Sequence, residues 1–326
     1  MKEDPAAHAR ALTRRMHAVR VHQFGGLEAI VYEEVSRPVP GAGQVLVRVK
    51  AAGVGPWDAW VRAGKSVLPQ PLPLVLGSDL AGVIEEVGPG ISNFRPGEAV
   101  FGVTNAQFTG AYAEYAACKA GMIAKKPRTL SFVEAASAPV VAVTAWQMLF
   151  DEAKLKAGQV AIIQGAAGSV GRYAVMLART AGIHVIASAL QKDLDQLREL
   201  GANEVTPSSE LGRYEGTVDA AIDLVGGPSR SQLLVCVKPG GVLVTAVPPP
   251  PTAEEAASRG VKASFMLVHV ETRYLDELTA RFEAGQIRPN VGTVLPLADA
   301  RSAHEMLDGI RPASPGKIVL ELEPGT

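Results

Sequence analysis

The apolar positions of this chain follow two different rhythms. Up to about residue 138, short β-branched runs alternate with glycine and proline, and 18–21, 30–35, 44–52, 82–87, 99–103 and 112–117 each read as a strand. Such spacing predicts a compact, mostly antiparallel β domain. Pro40-Gly41-Ala42-Gly43, Gly88-Pro89-Gly90 and Arg95-Pro96-Gly97-Glu98 are the turns. From about residue 139 the rhythm becomes buried strand followed by helix. Strand candidates are 159–164, 184–189, 218–223 and 241–246, with a helix over 229–237 closed by Lys238-Pro239-Gly240-Gly241. A further strand is expected over 264–270 and a helix over 271–284. From Gln286 the tail returns to strand and turn chemistry. The pattern predicts an α/β chain in which a strand–helix domain (139–285) is inserted into a β domain (16–138 and 286–326). Residues 1–15 are read as a flexible extension.

The junction after the first strand of the inserted domain carries chemistry. Gly165-Ala166-Ala167-Gly168-Ser169-Val170-Gly171 joins an apolar run to a stretch with apolar residues at helical spacing. This is the opening of a dinucleotide-binding βαβ unit, with Ala166 in place of the first glycine of G-x-G-x-x-G. Loop glycines let the backbone approach a pyrophosphate, and the amides opening the helix face its charge. The second strand ends in Ser188-Ala189-Leu190-Gln191-Lys192, where a site for NAD places an acid on the ribose hydroxyls. An acid there repels the 2′-phosphate of NADP, whereas a serine and a lysine receive it. The expectation is an NADP site with Ser188, Ala189 and Lys192 around the phosphate. The alternative is a solvated Lys192 and a site open to either cofactor. Val225-Gly226 and Ala246-Val247 follow strands at their carboxyl ends, where doubly wound sheets gather ligands, and should border the nicotinamide with Phe265 and Met266.

Composition narrows the classes. The 326 residues suffice for two domains, and 47% hydrophobic with 20% charged residues is ordinary for a globular protein. A net charge of −1 gives no electrostatic case for nucleic acid or an anionic membrane. Two cysteines, Cys118 and Cys236, have no paired spacing and read as small buried hydrophobes. No apolar run reaches the ~20 residues of a membrane helix, and the start, Met1-Lys2-Glu3-Asp4-Pro5, is too polar for a signal peptide. A cytoplasmic location is the expectation.

Several phrases in order make the chain recognisable. They are Gly53-Val54-Gly55-Pro56-Trp57-Asp58, Leu76-Gly77-Ser78-Asp79-Leu80-Ala81-Gly82-Val83, Gly110-Ala111-Tyr112-Ala113-Glu114-Tyr115, Thr144-Ala145, the glycine loop and Gly316-Lys317. With them the chain resembles, from Met16 onward, the zinc-free, zeta-crystallin-like quinone oxidoreductases of the medium-chain dehydrogenase/reductase superfamily. The resemblance implies a GroES-like β domain and a Rossmann doubly wound nucleotide domain. It also implies a homodimer joined through an edge strand, here 263–268. Gly55, Pro56, Thr144 and Lys317 are then cofactor contacts, Thr144 orienting the nicotinamide or its ribose. Zinc-dependent members carry a Cys near Trp57-Asp58 and Gly-His-Glu where this chain has Gly77-Ser78-Asp79. His8, His17, His22, His184, His269 and His304 show no ligand spacing, so no metal is expected. Many relatives have an Asn before the proline and a Tyr after the aspartate; here these are Gly55 and Trp60.

The resemblance, without a metal site, implies hydride transfer from NADPH to an acceptor that is already electrophilic, a quinone or an α,β-unsaturated carbonyl. Trp57, Trp60 and Phe108 are the candidate substrate contacts, with the Trp60 N–H as a donor to the product oxygen; the alternative reading of each is an ordinary core aromatic. Asp58 is readable as a general acid or as the cap of a helix over 59–63. Thr144 has its own local reading, bonded back to its helix. Asp79 reads as a hydrogen-bonding organiser, and Pro248–Pro251 as a stiff loop. Two other functions remain open, an enoyl-thioester reductase and a non-catalytic NADPH-binding protein with a redox-sensing or structural role.

Overall fold

A computed structural model describes residues 14–322. The first strands are β1 (Arg15–Val21), β2 (Ile30–Ser36) and β3 (Gln44–Val54), followed by helix α1 (Pro56–Arg62). Next come β4 (Leu74–Val75), β5 (Asp79–Val87), β6 (Ala99–Val103), β7 (Tyr115–Lys119) and β8 (Ile123–Lys125). Helices α2 (Phe132–Ala136) and α3 (Pro139–Trp146) lead to β9 (Val160–Gln164), α4 (Ser169–Thr180), β10 (His184–Ala189), α5 (Leu194–Leu200) and β11 (Glu204–Pro207). The alternation continues with β12 (Val218–Asp223), α6 (Ser229–Cys236), β13 (Val237–Thr245), α7 (Ala253–Ala257) and β14 (Lys262–Phe265). The tail holds α8 (Thr272–Glu283), β15 (Val291–Pro296), α9 (Ala300–Leu307) and β16 (Lys317–Glu321).

The chain divides into two compact units. One runs up to Val140 and adds Val270–Glu283 and the tail from Pro289; the other is Val141–His269 with Ala284–Arg288. In the first, β15-β16-β3-β5-β6-β8 form one sheet with β7 also on β3, and β2-β1-β4 form another. Pairing is antiparallel except between β15 and β16. In the second, six parallel strands run β11-β10-β9-β12-β13-β14. Their interior is a continuous apolar run, as parallel strands covered on both faces require.

Several sequence expectations shift. The strand expected at 112–117 starts at Tyr115, because Tyr112 and Ala113 bond to β1 while β7 bonds to β3. The strand expected at 241–246 begins at Val237, its pairing with β12 interrupted by an irregularity. The strand expected over 264–270 is Lys262–Phe265, on the sheet edge. Helix α8 belongs with the β unit rather than the nucleotide domain, since Thr272 Oγ1 donates to Ile123 O (2.7 Å). The tail also contains α9, where only strands and turns were expected. Residues 1–13 of the proposed extension lie outside the described residues, and Arg15 already opens β1. Among the described residues no helix is long and apolar enough to cross a membrane.

The pairing of β3 with β5 tolerates no side chain at Gly82, where a Cβ would stand 2.2 Å from Arg48 O and 2.8 Å from Val47 Cγ1. Gly82→Ala is expected to cost about 1–3 kcal/mol, read as a lower denaturation midpoint with unchanged slope.

Candidate functional site

In the nucleotide unit the chain leaves β9 through Gly165, whose φ of +77° makes the tight turn. The turn thus falls one residue before the motif's first glycine, which explains why Ala166 is accommodated there, fully buried. The amides of Gly165 and Ala166 both donate to Ser188 O (3.0 and 3.1 Å), tying the loop to the end of β10. Gly171 lets helix meet strand, since a Cβ there would lie 2.3 Å from Gly165 O and 2.6 Å from Ala166 Cα. Gly168 caps α4 in extended conformation without a side-chain acceptor. The first-turn amides of Ser169 and Val170, beside Ala167, have no acceptor within the helix and suit a pyrophosphate. The residues present therefore fit a dinucleotide.

Around the expected 2′-phosphate one residue must be reassigned. Ser188 is fully buried and its Oγ lies 3.2 Å from Ser208 Oγ, so its hydroxyl is already engaged inside the unit. Ala189 is buried too, whereas Lys192 is exposed in the turn opening α5. Sequence reading passed over Arg172. Its Nη1 reaches Gln196 Oε1 on α5 at 3.5 Å, and its buried Nε has no hydrogen-bond partner. Burial first, and then the charge of Arg288, hold its guanidinium below the ordinary arginine value. The signal the sequence offered is that Arg172 directly follows Gly171, the last glycine of the loop.

The other expected nucleotide residues fall at strand ends. Val225 and Gly226 follow β12 and Ala246 and Val247 follow β13; Val225 is exposed. Phe265 closes β14 partly exposed, and Met266 is buried with its amide on Thr245 O (2.9 Å). The chain beyond is held by Gln147, whose Nε2 donates to His269 O (2.7 Å) and whose Oε1 accepts from His269 N (3.2 Å). Thr144 is buried on α3.

In the β unit, the ends of β3, β5 and β16 bring Gly55, Asp79 and Lys317 to neighbouring positions. Gly55 caps α1, Pro56 is its first residue and Asp58 its third. The helix thus starts earlier than the expected 59–63, and Asp58 acts inside the first turn. Its Oδ2 accepts from Gly55 N (2.8 Å) and from Tyr112 OH (2.9 Å), and the carboxyl is sealed from solvent. This is the structural one of its two readings. The departure at Gly55 has a cause in Trp57: a Cβ on Gly55 would stand 2.4 Å from the indole ring, so the ring takes the space of a longer side chain. Trp57 Nε1 donates to Ser78 Oγ (3.2 Å), and Lys317 Nζ lies 4.2 Å from the ring centroid, a cation–π contact. Lys317 Nζ is 3.5 Å from Asp79 Oδ2, whose other oxygen accepts from Val140 N (3.0 Å).

Two carboxyls and one ammonium are therefore fully buried together. Burial pushes Asp58 up to about 7 and Asp79 up to about 6, against pulls from Lys317 and their hydrogen bonds. Burial lowers Lys317, opposed by the two aspartates. Trp60, on α1, is 52% exposed, so its ring is open to solvent. Phe108 is held at φ +58° in a loop braced by Asn105, whose Nδ2 donates to Thr109 O (2.7 Å); a non-glycine residue there is strained. Among the described residues, no three His, Cys, Asp or Glu side chains group to hold a metal.

Residues 41–128 match the alcohol dehydrogenase GroES-like domain and residues 184–320 the zinc-binding dehydrogenase domain. The chain is 32% identical to the quinone oxidoreductase of Sus scrofa over 325 residues, covering 94% of this chain and 98% of that one. The solved quinone oxidoreductase of Coxiella burnetii superposes with a TM-score of 0.85 at 30% identity, covering 95% of this chain and all of that one. A mycobacterial protein solved in complex with NADPH gives 0.82 at 29% identity, over 94% and 99% of the two chains. The glycine loop, the two-unit architecture and these likenesses agree: the chain is an NAD(P)-dependent oxidoreductase and belongs to the quinone oxidoreductase family of the medium-chain dehydrogenase/reductase superfamily.

Proposed function

We propose that this enzyme uses NADPH, without a metal, to reduce quinones or α,β-unsaturated carbonyls. The observation that carries the reading is the Lys317–Asp79 pair against Trp57. Asp79 and Trp57 occupy the phrases where metal-dependent relatives carry ligands, and a cation there would meet the Lys317 ammonium buried beside them. Gly55 offers no donor atom, and Ser78 Oγ already takes the Trp57 N–H. With no Lewis acid to stabilise an alkoxide, an acceptor that is electrophilic by itself fits best.

The dihydronicotinamide, when bound, supplies the hydride. The chain's own share is to bind, orient and exclude water. The amides opening α4 hold the pyrophosphate; Lys192 and Arg172 receive the 2′-phosphate; Thr144 orients the ring or its ribose. Trp57, Trp60 and Phe108 meet the acceptor, and the Trp60 N–H donates to the oxygen on which charge develops. Water or a ribose hydroxyl provides the product's proton, since Asp58 is sealed in the β unit. The free edge at β14, with exposed Phe265 and Leu267, pairs with a second copy.

Lys192→Ala is expected to raise the KM for NADPH roughly tenfold and leave that for NADH unchanged, a charge-assisted phosphate contact being worth about 1.5–3 kcal/mol. Initial rates with 1,4-benzoquinone, a short alkenal and a crotonyl thioester test the acceptor. Fastest turnover with the quinone or alkenal supports the proposal. Fastest turnover with the thioester replaces it by the enoyl-thioester reading, and NADPH binding without turnover by the non-catalytic one.

A further inference from the structure

The loops after β12 and β13 are joined by a buried ion pair that the glycine motif does not require. Asp223, the last residue of β12, is fully buried. Its Oδ1 accepts from Val225 N (3.1 Å) and Gly226 N (2.8 Å), and its Oδ2 from Arg230 Nε (2.7 Å) and Thr245 Oγ1 (2.9 Å). Arg230, near the start of α6, is 8% exposed. Its Nη2 donates to Val247 O (2.7 Å) and its Nη1 to Pro249 O. Thr245 Oγ1 also accepts from Val247 N (3.0 Å). Gly226 sits at φ +73°, where a Cβ would press on Val247 Cγ1 (2.7 Å) and Arg230 Nη2 (2.8 Å). One knot thus fixes the backbone of both loops, and no rotation of either leaves it intact.

Its place in the sheet gives the knot its meaning. In the order β11-β10-β9-β12-β13-β14 the chain reverses direction of growth between β9 and β12. A dinucleotide lies across that switch point, its first half on the β9–β11 side with the glycine loop and its second on the β12–β14 side. A buried ion pair is a weak means of stabilising a fold, because desolvation offsets its attraction. Donors converging on one carboxylate and two carbonyls instead define loop geometry closely.

We infer that Asp223 and Arg230 are positioning residues for the nicotinamide half of the cofactor, acting through the 225–227 and 246–249 backbone. The inference rests on the nucleotide-binding reading of this unit. Arg230→Lys keeps the charge but cannot reach Asp223, Val247 and Pro249 together. Thr245→Val removes a single link and is the milder companion. The readouts are the dissociation constants of 2′,5′-ADP, which has only the adenosine end, and of NADPH. Turnover with 1,4-benzoquinone is measured alongside, as is selectivity between the two C4 hydrogens of NADPH, using (4R)- and (4S)-deuterated cofactor with a short alkenal.

For Arg230→Lys, 2′,5′-ADP binding is expected within roughly twofold of wild type, while kcat falls at least roughly tenfold. Hydrogen selectivity falls with it, and Thr245→Val shifts in the same direction by a smaller factor. Equal loss of 2′,5′-ADP and NADPH binding in both variants would make the knot merely structural and overturn the inference. Unchanged kcat and selectivity in both would overturn it too. A wild-type protein that binds neither nucleotide would instead remove the nucleotide-binding reading on which the inference stands.

Discussion

Gly171→Val is expected to raise the dissociation constant for NADPH at least roughly 100-fold, about 2.7 kcal/mol of binding free energy. The first atom of the new side chain would lie 2.3 Å from Gly165 O and 2.6 Å from Ala166 Cα, both backbone atoms of the loop itself. Neither can rotate away, so the amino end of α4 must lift from β9. Lifting it turns the first-turn amides away from the pyrophosphate and breaks the tie of Gly165 and Ala166 to Ser188 O. The fold should also lose about 1–3 kcal/mol through overpacking. Gly168→Ala separates the two effects. A Cβ there meets only Gly165 O, at 3.3 Å, and otherwise faces the open side of the loop. Its thermal midpoint should stay near wild type while NADPH binding weakens, because the methyl enters space reserved for the ligand. Calorimetric titration beside a melting curve distinguishes the two. Equal affinity of Gly171→Val and wild type would contradict the assignment of this loop.

Asp58→Asn should make the protein more stable at pH 8 than wild type, by on the order of 1–3 kcal/mol. Asp58 titrates near 7 and Asp79 near 6 in the folded chain, both raised from 3.8 chiefly by burial. Between about pH 4 and 7 the folded state therefore binds more protons than the unfolded one. The contribution of these carboxyls is fully present below about pH 4 and is lost as pH rises through 6 and then 7. Lys317 acts in the opposite sense at alkaline pH. Its folded pKa lies below 10.5, so its charged form is penalised at lower pH and stability recovers as pH climbs toward that value. Asparagine keeps an acceptor for Gly55 N and Tyr112 OH but carries no charge. The decline of stability with pH should then shrink to the share of Asp79 and end near pH 6. Lys317→Met is expected to act in the other direction, costing about 3–5 kcal/mol at pH 8, because two buried carboxyls lose their counter-charge. Denaturant unfolding from pH 4 to 9 measures both, and an unaltered slope in Asp58→Asn would refute the pH assignment.

Sequence alone reached what is local in the chain. The glycine loop was legible because strand, turn and helix are contiguous, and the alternation from Val160 to Phe265 carries its own topology. Ser188 misled for a physical reason: a parallel strand buried on both faces shows no alternation, so nothing in its neighbours says which way a hydroxyl points. The contacts of Lys317 with Asp79 and with the Trp57 ring were not legible, since they depend on where β3, β5 and β16 end relative to one another. Helix α9 was missed although its buried Ala300, Ala303 and His304 carry helical spacing. It is eight residues long and set between strands.

The most direct test of metal-independent, NADPH-driven hydride transfer is a pair of initial rates on chelator-treated protein, with NADPH and with NADH, using 1,4-benzoquinone. Full activity with NADPH after metal removal, and much slower oxidation of NADH, is the expected result. Activity that disappears with the metal and returns with stoichiometric zinc would contradict it.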